Sequence, residues 1–350
     1  MPGNNRSIVP PVFGEVLQAP PVAGLVAESN RSVTPQVFDE DPPKDKPAGK
    51  NFLLLIAIDH YQKPTLHLPN PVIDATGLLN VLIDRYDFRP DPDKADTVKD
   101  LRDIDPAHYG DRKTYRFPMP VYDDTKIHCL YNEQVTMSNI KAKINKIKDN
   151  MTKDDNLLVY YAGHGYADRD SGNWYITPYD YDPDKDNGVS FNDIYTLAGK
   201  KERKWFCKNL LFILDSCFAG SVVDGMLAQT DDRYSVMALT STGGREVASD
   251  GKRREGSPFS KALIKLLNAN DVPVLDVRDL FSNLRKEFTG INQTLQLSYL
   301  PQTEGKNSFG FPLKDPKGVF ASSFVETVLD HLNFYDERNI IESQIDYTLN

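Results

Sequence analysis

Cysteine is scarce in this chain of 350 residues: there are three, Cys129, Cys207 and Cys217. Three cysteines cannot build a disulfide framework, so the fold has to rest on a hydrophobic core. Long apolar runs are also missing. No stretch approaches the ~18 consecutive apolar residues of a transmembrane helix. The opening MPGNNRSIVPP lacks the charged-then-apolar pattern of a secretion signal. Basic excess is absent as well, since 41 Lys and Arg stand against 50 Asp and Glu, a net charge of −9. That balance speaks against a nucleic-acid footprint and against a polybasic membrane patch. There is no P-loop, no Rossmann glycine pattern and no zinc-ligand spacing. Together these absences lead us to expect a protein of a reducing cytoplasm with neither nucleic acid nor membrane as partner.

What is present is an ordinary globular composition, 40% hydrophobic, 10% aromatic and 26% charged. At this length one sizeable α/β domain with additions is expected. Residues 1–50 hold nine of the 24 prolines and neither Tyr nor Trp, which reads as an extended leader. From residue 51 the pattern changes. FLLLIAID (52–59), LLVYYA (157–162), LLFILD (210–215) and YSVMALT (234–240) are near-continuous apolar runs of strand length, suited to strands covered on both faces. IHCLY (127–131), WYITP (174–178) and SFGFPL (308–313) read as further strands.

Between these runs, apolar residues recur at helical spacing. Ala75, Leu78, Leu79, Leu82 and Ile83 form one face, with Asp74 as the expected N-cap. Ile140, Ile144 and Ile147 form a second, capped by Thr136 or Ser138, and Phe191–Leu197 reads as a helical turn. Ser257-Pro258 opens a third helix through Phe259, Ala262, Leu263, Leu266 and Leu267. Val277, Leu280, Phe281, Leu284 and Phe288 mark a fourth, and residues 320–350 read as a C-terminal helical extension. Residues 87–124, rich in Asp, Lys, Arg and Pro, read as a charged surface insertion. The alternation predicts a mainly parallel central sheet with helices on both faces, over a domain spanning 51–319.

In such sheets, sites lie beyond the carboxyl ends of the strands. Two strands here end in chemistry. LLVYYA runs into Gly163-His164-Gly165, and LLFILD runs into Asp215-Ser216-Cys217. A thiol nucleophile needs an imidazole nearby and N–H donors for a developing oxyanion, and small neighbours free the backbone to supply them. Cys129 and Cys207 lie within or beside strand patterns and read as packing residues, as a lone cysteine usually is.

The segments FLLLIAIDHY, the DA before the first helix, LLVYYAGHG, LLFILDSCFAGS, YSVMALTS, SPFSKALIKLL and PQTEG occur in that order over about residues 50–313. In this the chain resembles caspase-like cysteine peptidases, closer to metacaspases and prokaryotic caspase homologues than to animal caspases. A His about 50 residues before the Cys is itself a known caspase spacing. The resemblance implies a catalytic dyad of His164 and Cys217, with the backbone N–H groups of Gly165 and Cys217 holding the oxyanion. It implies an acidic S1 pocket from Asp74 and Asp215, which would take Arg or Lys through charge-assisted hydrogen bonds. Ala162 stands where many metacaspases have serine, which removes one pocket hydroxyl. It also implies candidate calcium ligands at Asp193 and Asp224. The matching positions Asn173 and Asn192 lack charge, against the several carboxylates Ca²⁺ usually takes. No cofactor is required by the dyad chemistry.

The expected activity is cleavage of protein or peptide substrates after basic residues, latent until triggered. Arg203, Lys204, Arg233, Arg253 and Arg254 are candidate cleavage sites for the chain itself or an upstream activating protease. Prokaryotic relatives in defence or cell-death cascades suggest such a setting. Two rivals stand beside this reading: a caspase-fold pseudoenzyme acting as a scaffold, and a CHAT-type peptidase dedicated to one protein target.

Overall fold

A strand that is apolar on both sides must be covered on both sides, and five such segments form one sheet with a sixth, half-buried strand at its edge. They are Asn51–Ala57 (β1), Ile127–Tyr131 (β2), Asn156–Ala162 (β3), Asn209–Asp215 (β4), Ser235–Thr240 (β5) and Gln296–Tyr299 (β6). Their order is β6-β5-β4-β3-β1-β2. All neighbours are parallel except β6, which runs antiparallel to β5 at one edge. The computed structural model describes residues 49–315 apart from 116, 169–172, 186, 202, 203, 206, 223–234 and 300–307. The expected leader, but for its last two residues, and the C-terminal helical extension at 320–350 lie outside the described residues.

Five helices cover the sheet: Pro71–Arg85 (α1), Met137–Asn150 (α2), Phe191–Gly199 (α3), Pro258–Ala269 (α4) and Val277–Glu287 (α5). Alternate strand residues sort them into two layers. Leu53 and Leu55 of β1 join Leu211 and Ile213 of β4 in one core with Leu78, Leu82, Phe259, Leu263, Leu280 and Leu284 of α1, α4 and α5. Phe52, Leu54 and Ile56 join Phe212 and Leu214 in the other core, with Ile140, Ile144 and Ile147 of α2 and Phe191 and Ile194 of α3. The mainly parallel α/β architecture read from the runs is therefore present, with helices on both faces.

Three local expectations change. Helix α1 begins four residues before its predicted start, with Pro71 at its first turn and Asn70 at the N-cap position. Asp74 is thus inside the first turn, buried, and not a cap; the proline fixes the start before the apolar spacing becomes visible. The 87–124 segment is more than a surface insertion. Many of its described charges are exposed, but Asp124 is buried, and Tyr109, Tyr115, Phe117 and Met119 are buried in the same core as α1. SFGFPL contributes Gly310–Pro312 to a two-stranded ribbon with Val274–Asp276, outside the central sheet. Elsewhere the capping chemistry is as read: the Thr136 hydroxyl accepts from the Asn139 N–H, and the Ser257 hydroxyl accepts from the Ser260 N–H. Cys129 and Cys207 are buried, and burial pushes both thiols up to about 12.

Candidate active site

Strand register brings the two expected reactive residues together. Ala162 of β3 lies opposite Asp215 of β4 in the parallel ladder. His164 and Cys217 each follow their strand's last residue by two, so both emerge at the same carboxyl edge of the sheet. They line a single cavity of about 230 Å³, together with Asp74, Asp215, Ser216 and Asp250.

His164 is held from several sides. Its backbone N–H donates to the Tyr61 hydroxyl at 2.8 Å. Its carbonyl accepts from the Tyr161 hydroxyl at 2.5 Å and from the Thr177 N–H at 3.0 Å. Its ring Nε2 lies 3.0 Å from the Leu66 carbonyl oxygen. A carbonyl can only accept, so Nε2 carries the proton and the neutral ring keeps Nδ1 as its basic nitrogen. Leu66 sits in the loop between β1 and α1, so the first crossover of the fold selects the tautomer of a residue almost a hundred positions later.

Cys217 sits on a tight elbow after β4. Phe218 adopts left-handed φ of 57°, and its N–H donates to the Glu246 carbonyl at 2.8 Å. The Thr242 hydroxyl donates to the Ser216 carbonyl at 3.0 Å and accepts from the Ala219 N–H at 3.2 Å. Trp174 Nε1 donates to the Cys217 carbonyl at 3.0 Å. The sulfur accepts from the Ala248 N–H at 3.3 Å. Gly165 packs so closely on this elbow that a Cβ there would lie 2.5 Å from the Ser216 hydroxyl and 2.6 Å from the Trp174 ring. Only glycine lets the backbone at 165 come this near the elbow that carries Cys217.

The electrostatics leave both reactive groups neutral at rest. Burial pushes the Cys217 thiol up, the Ala248 N–H partly offsets this, and Asp215 and Asp250 add to the rise. Burial pulls the His164 imidazole down, with the Leu66 carbonyl working against it. Both effects disfavour a preformed thiolate–imidazolium pair.

The other wall of the cavity is acidic. Asp215 Oδ2 accepts from the Ser257 hydroxyl at 2.5 Å and the Ser260 hydroxyl at 2.9 Å. Asp74 Oδ2 accepts from the Ser257 N–H at 3.0 Å. Burial, and then the neighbouring Asp215, raise the Asp74 carboxyl well above its usual range. Burial raises Asp215 as well, against the serine hydroxyls. Asp250 is pushed up to about 8, by burial first and then by Asp215 and Asp59.

The expected calcium ligands are not assembled in the same way. Asp193 is exposed in the first turn of α3. Asn192 donates to Asn173 at 3.0 Å, and Asp224 lies outside the described residues. Among the described residues no group of three His, Cys, Asp or Glu is placed to hold a metal. Of the four expected ligand positions, Asp193 is the one carboxylate among the described residues. Of the candidate cleavage sites, Arg203 and Arg233 lie outside the described residues. Lys204 is in a two-residue strand, Arg253 is exposed, and Arg254 is half-buried with its guanidinium on the Thr114 hydroxyl at 3.4 Å. No described helix is long and apolar enough to cross a membrane.

Several site residues carry no motif. Asp250 follows β5 in a loop with no periodicity, where the sequence reading singles out only the basic residues Arg253 and Arg254. Ser216 was hidden between two residues that drew attention. Leu66 acts through its carbonyl, which no side-chain pattern reports.

The chain thus presents an α/β sheet with a thiol and an imidazole at adjacent carboxyl ends, lining one cavity. The caspase domain model matches residues 50–309, so the chain belongs to the caspase domain family. Among solved structures it is similar to protein GSU0716 from Geobacter sulfurreducens, at 14% identity and a TM-score of 0.48, covering 72% of this chain and 94% of that one. It is also similar to caspase-1 from Spodoptera frugiperda, at 14% identity and a TM-score of 0.46, covering 73% of this chain and 90% of that one. No curated protein matches the chain.

Proposed function

We propose that the protein is a cysteine endopeptidase that cleaves after Arg or Lys. The observation that carries this reading is one cavity lined by a thiol, an imidazole with Nε2 committed to a carbonyl, and three carboxylates. Nδ1 of His164 takes the thiol proton as the sulfur of Cys217 attacks the scissile carbonyl carbon. The N–H groups of Gly165 and Cys217 receive the oxyanion. His164, now protonated, gives that proton to the leaving amine as the C–N bond breaks. Water then attacks the thioester, His164 accepts a water proton, and the acid product leaves with the thiol restored.

The acidic wall supports the choice of P1. Among the described residues Asp74 and Asp215 have no ion-pair partner within hydrogen-bond reach, and they hold their charge at a cost, which a basic P1 side chain would relieve. An acidic P1 side chain would meet three carboxylates and no cation. Latency is part of the same reading, and it places the protein in a proteolytic cascade such as prokaryotic defence or cell death. Asp250, Ala248 and Val247 share the loop that follows β5, and exposed Arg253 lies three residues beyond Asp250. A cut there by this enzyme or an upstream protease would free the loop without breaking a sheet strand.

The test is direct. The purified chain and its Cys217→Ala variant are incubated with Arg-, Lys- and Asp-terminated fluorogenic peptides, with and without Ca²⁺, while mass spectrometry follows the chain itself. Cleavage of the basic peptides by the parent alone is the expected result. Equal cleavage by Cys217→Ala, or a preference for Asp at P1, would refute the reading. An inert parent under all conditions, including after limited proteolysis, would favour the scaffold alternative.

A further inference from the structure

The three carboxylates of the cavity differ in what the protein itself gives them. Asp215 Oδ2 receives two serine hydroxyls, and Asp74 Oδ2 receives the Ser257 N–H. The Asp250 carboxyl is stabilised by the Asn70 backbone N–H, but its Oδ2 is buried and without a hydrogen-bond partner. Two further buried atoms nearby share that condition. The Ser216 hydroxyl, on a residue only 2% exposed that lines the same cavity, has no partner. So does Oδ1 of fully buried Asn70, whose amide donates to the Asp250 and Lys252 carbonyls and so holds the Asp250 backbone. Buried polar atoms are nearly always satisfied, and one that lines an open cavity takes its missing partner from water or from a ligand that displaces it. No Lys or Arg is among the described residues lining this cavity.

We propose that Asp250 is the principal anchor of a P1 guanidinium and makes the site select arginine over lysine. This rests on the proposed cleavage after basic residues and names the residue of this chain that reads the cation. The geometry favours a planar fork over a point charge. Acceptors approach from three segments: Asp74 from α1, Asp215 and Ser216 from the end of β4, and Asp250 from the loop after β5. A guanidinium presents five N–H donors in a plane and can serve carboxylate and hydroxyl acceptors together, whereas an ammonium has three donors on one atom.

Charge adds a second signature. Asp250 is pushed up to about 8, so below that pH a proton occupies the place the cation needs. The groups facing it are Asp59 and Tyr61 of the loop before α1, Asp74 of α1, Asp215 and Cys217 at the β4 end, and His164 at the β3 end. Lys261 of α4 acts on Asp74. Cation binding therefore tightens as pH rises towards and through about 8.

The experiment uses the full chain carrying Cys217→Ala, titrated by calorimetry with agmatine and with n-butylamine at pH 8.5 and pH 6.5. Agmatine is expected to bind at least tenfold tighter than n-butylamine, and tighter at pH 8.5 than at 6.5. Adding Asp250→Asn, close in shape to the parent, should weaken agmatine at least tenfold and bring the two ligands within threefold of each other. In the active enzyme the same substitution should reduce the ratio of kcat/KM for Arg over Lys peptides at least fivefold. If Asp250→Asn does not fold by near-ultraviolet circular dichroism, Ser216→Ala is measured in its place, with at least a threefold fall in the agmatine to n-butylamine ratio expected. Unchanged agmatine affinity in the variant that folds, or no preference for agmatine in the parent, overturns the proposal. Asp250-dependent agmatine binding in a chain that cleaves no peptide would sustain the anchor and sink the peptidase reading. Cleavage after Arg that is indifferent to residue 250 would do the reverse.

Discussion

The two walls of the cavity are built on opposite plans. On the dyad wall nearly every backbone group around His164 and Cys217 has a partner, from the Tyr61 and Tyr161 hydroxyls to Trp174 Nε1 and the Thr242 hydroxyl. On the acidic wall, carboxylates crowd together and buried oxygens on Asp250 and Ser216 stay unsatisfied. The difference teaches what each wall is for. A reacting pair must be held in one geometry before substrate arrives. On the proposed function, the second wall would gain by leaving partners missing, because a basic substrate could then make contacts that substrates of other charge cannot.

The largest effect should come from breaking the dyad wall. Cys217→Ala and His164→Ala should each lower kcat for an Arg peptide by about 10³-fold or more, with the fold retained by circular dichroism. Full activity in either would end the contrast between the walls. Next is the acidic wall itself: Asp215→Ala should cost about 2–5 kcal/mol in kcat/KM for Arg peptides, read in steady-state kinetics. It should also lower the melting temperature, because the Ser257 and Ser260 hydroxyls lose their acceptor.

Ser257 belongs to both plans, as the cap of α4 and a donor to Asp215. Ser257→Ala should destabilise by about 1 kcal/mol through the lost cap, seen in urea unfolding, and weaken Arg-peptide binding less than Asp215→Ala does. A subtler test joins the walls through charge. Asp215 and Asp250 both push the Cys217 thiol up, so neutralising them with agmatine should move the midpoint of iodoacetamide labelling to lower pH. Simple shielding would slow labelling at every pH and leave the midpoint in place.

A last comparison concerns stability against pH. A carboxyl whose folded pKa is raised holds its proton more tightly in the folded chain, so its stabilising contribution is full below the unfolded value near 3.9 and is lost as pH rises through the folded one. For Asp250 that window runs from about 4 to about 8. Asp250→Asn should therefore flatten the fall of melting temperature across it. An unchanged slope would mean that Asp250 ionises as freely as an exposed acid.

Much of this protein was legible before folding. The buried strands announced themselves because a strand covered on both faces must be apolar throughout, and the ends of two of them exposed His164 and Cys217. Asp74 and Asp215 were reachable through the resemblance of the motifs around them. The start of α1 was misread because Pro71 and Asn70 precede the apolar spacing. The core role of Tyr109, Tyr115 and Phe117 was masked by the charges around them. The antiparallel β6, a short half-buried edge strand in TLQLSY, gave too weak a run to stand out.

Sequence alone thus determined the layered α/β plan and marked His164 and Cys217 as the residues at two strand ends, because both follow from local residue type and spacing. Tertiary structure decided the rest. Only the strand register sets His164 beside Cys217, only the first crossover brings the Leu66 carbonyl to Nε2, and only the loop after β5 carries Asp250 to Asp74 and Asp215. These are contacts between segments far apart in the chain, and their energies depend on burial and on the surrounding charges, which no local pattern of residues contains.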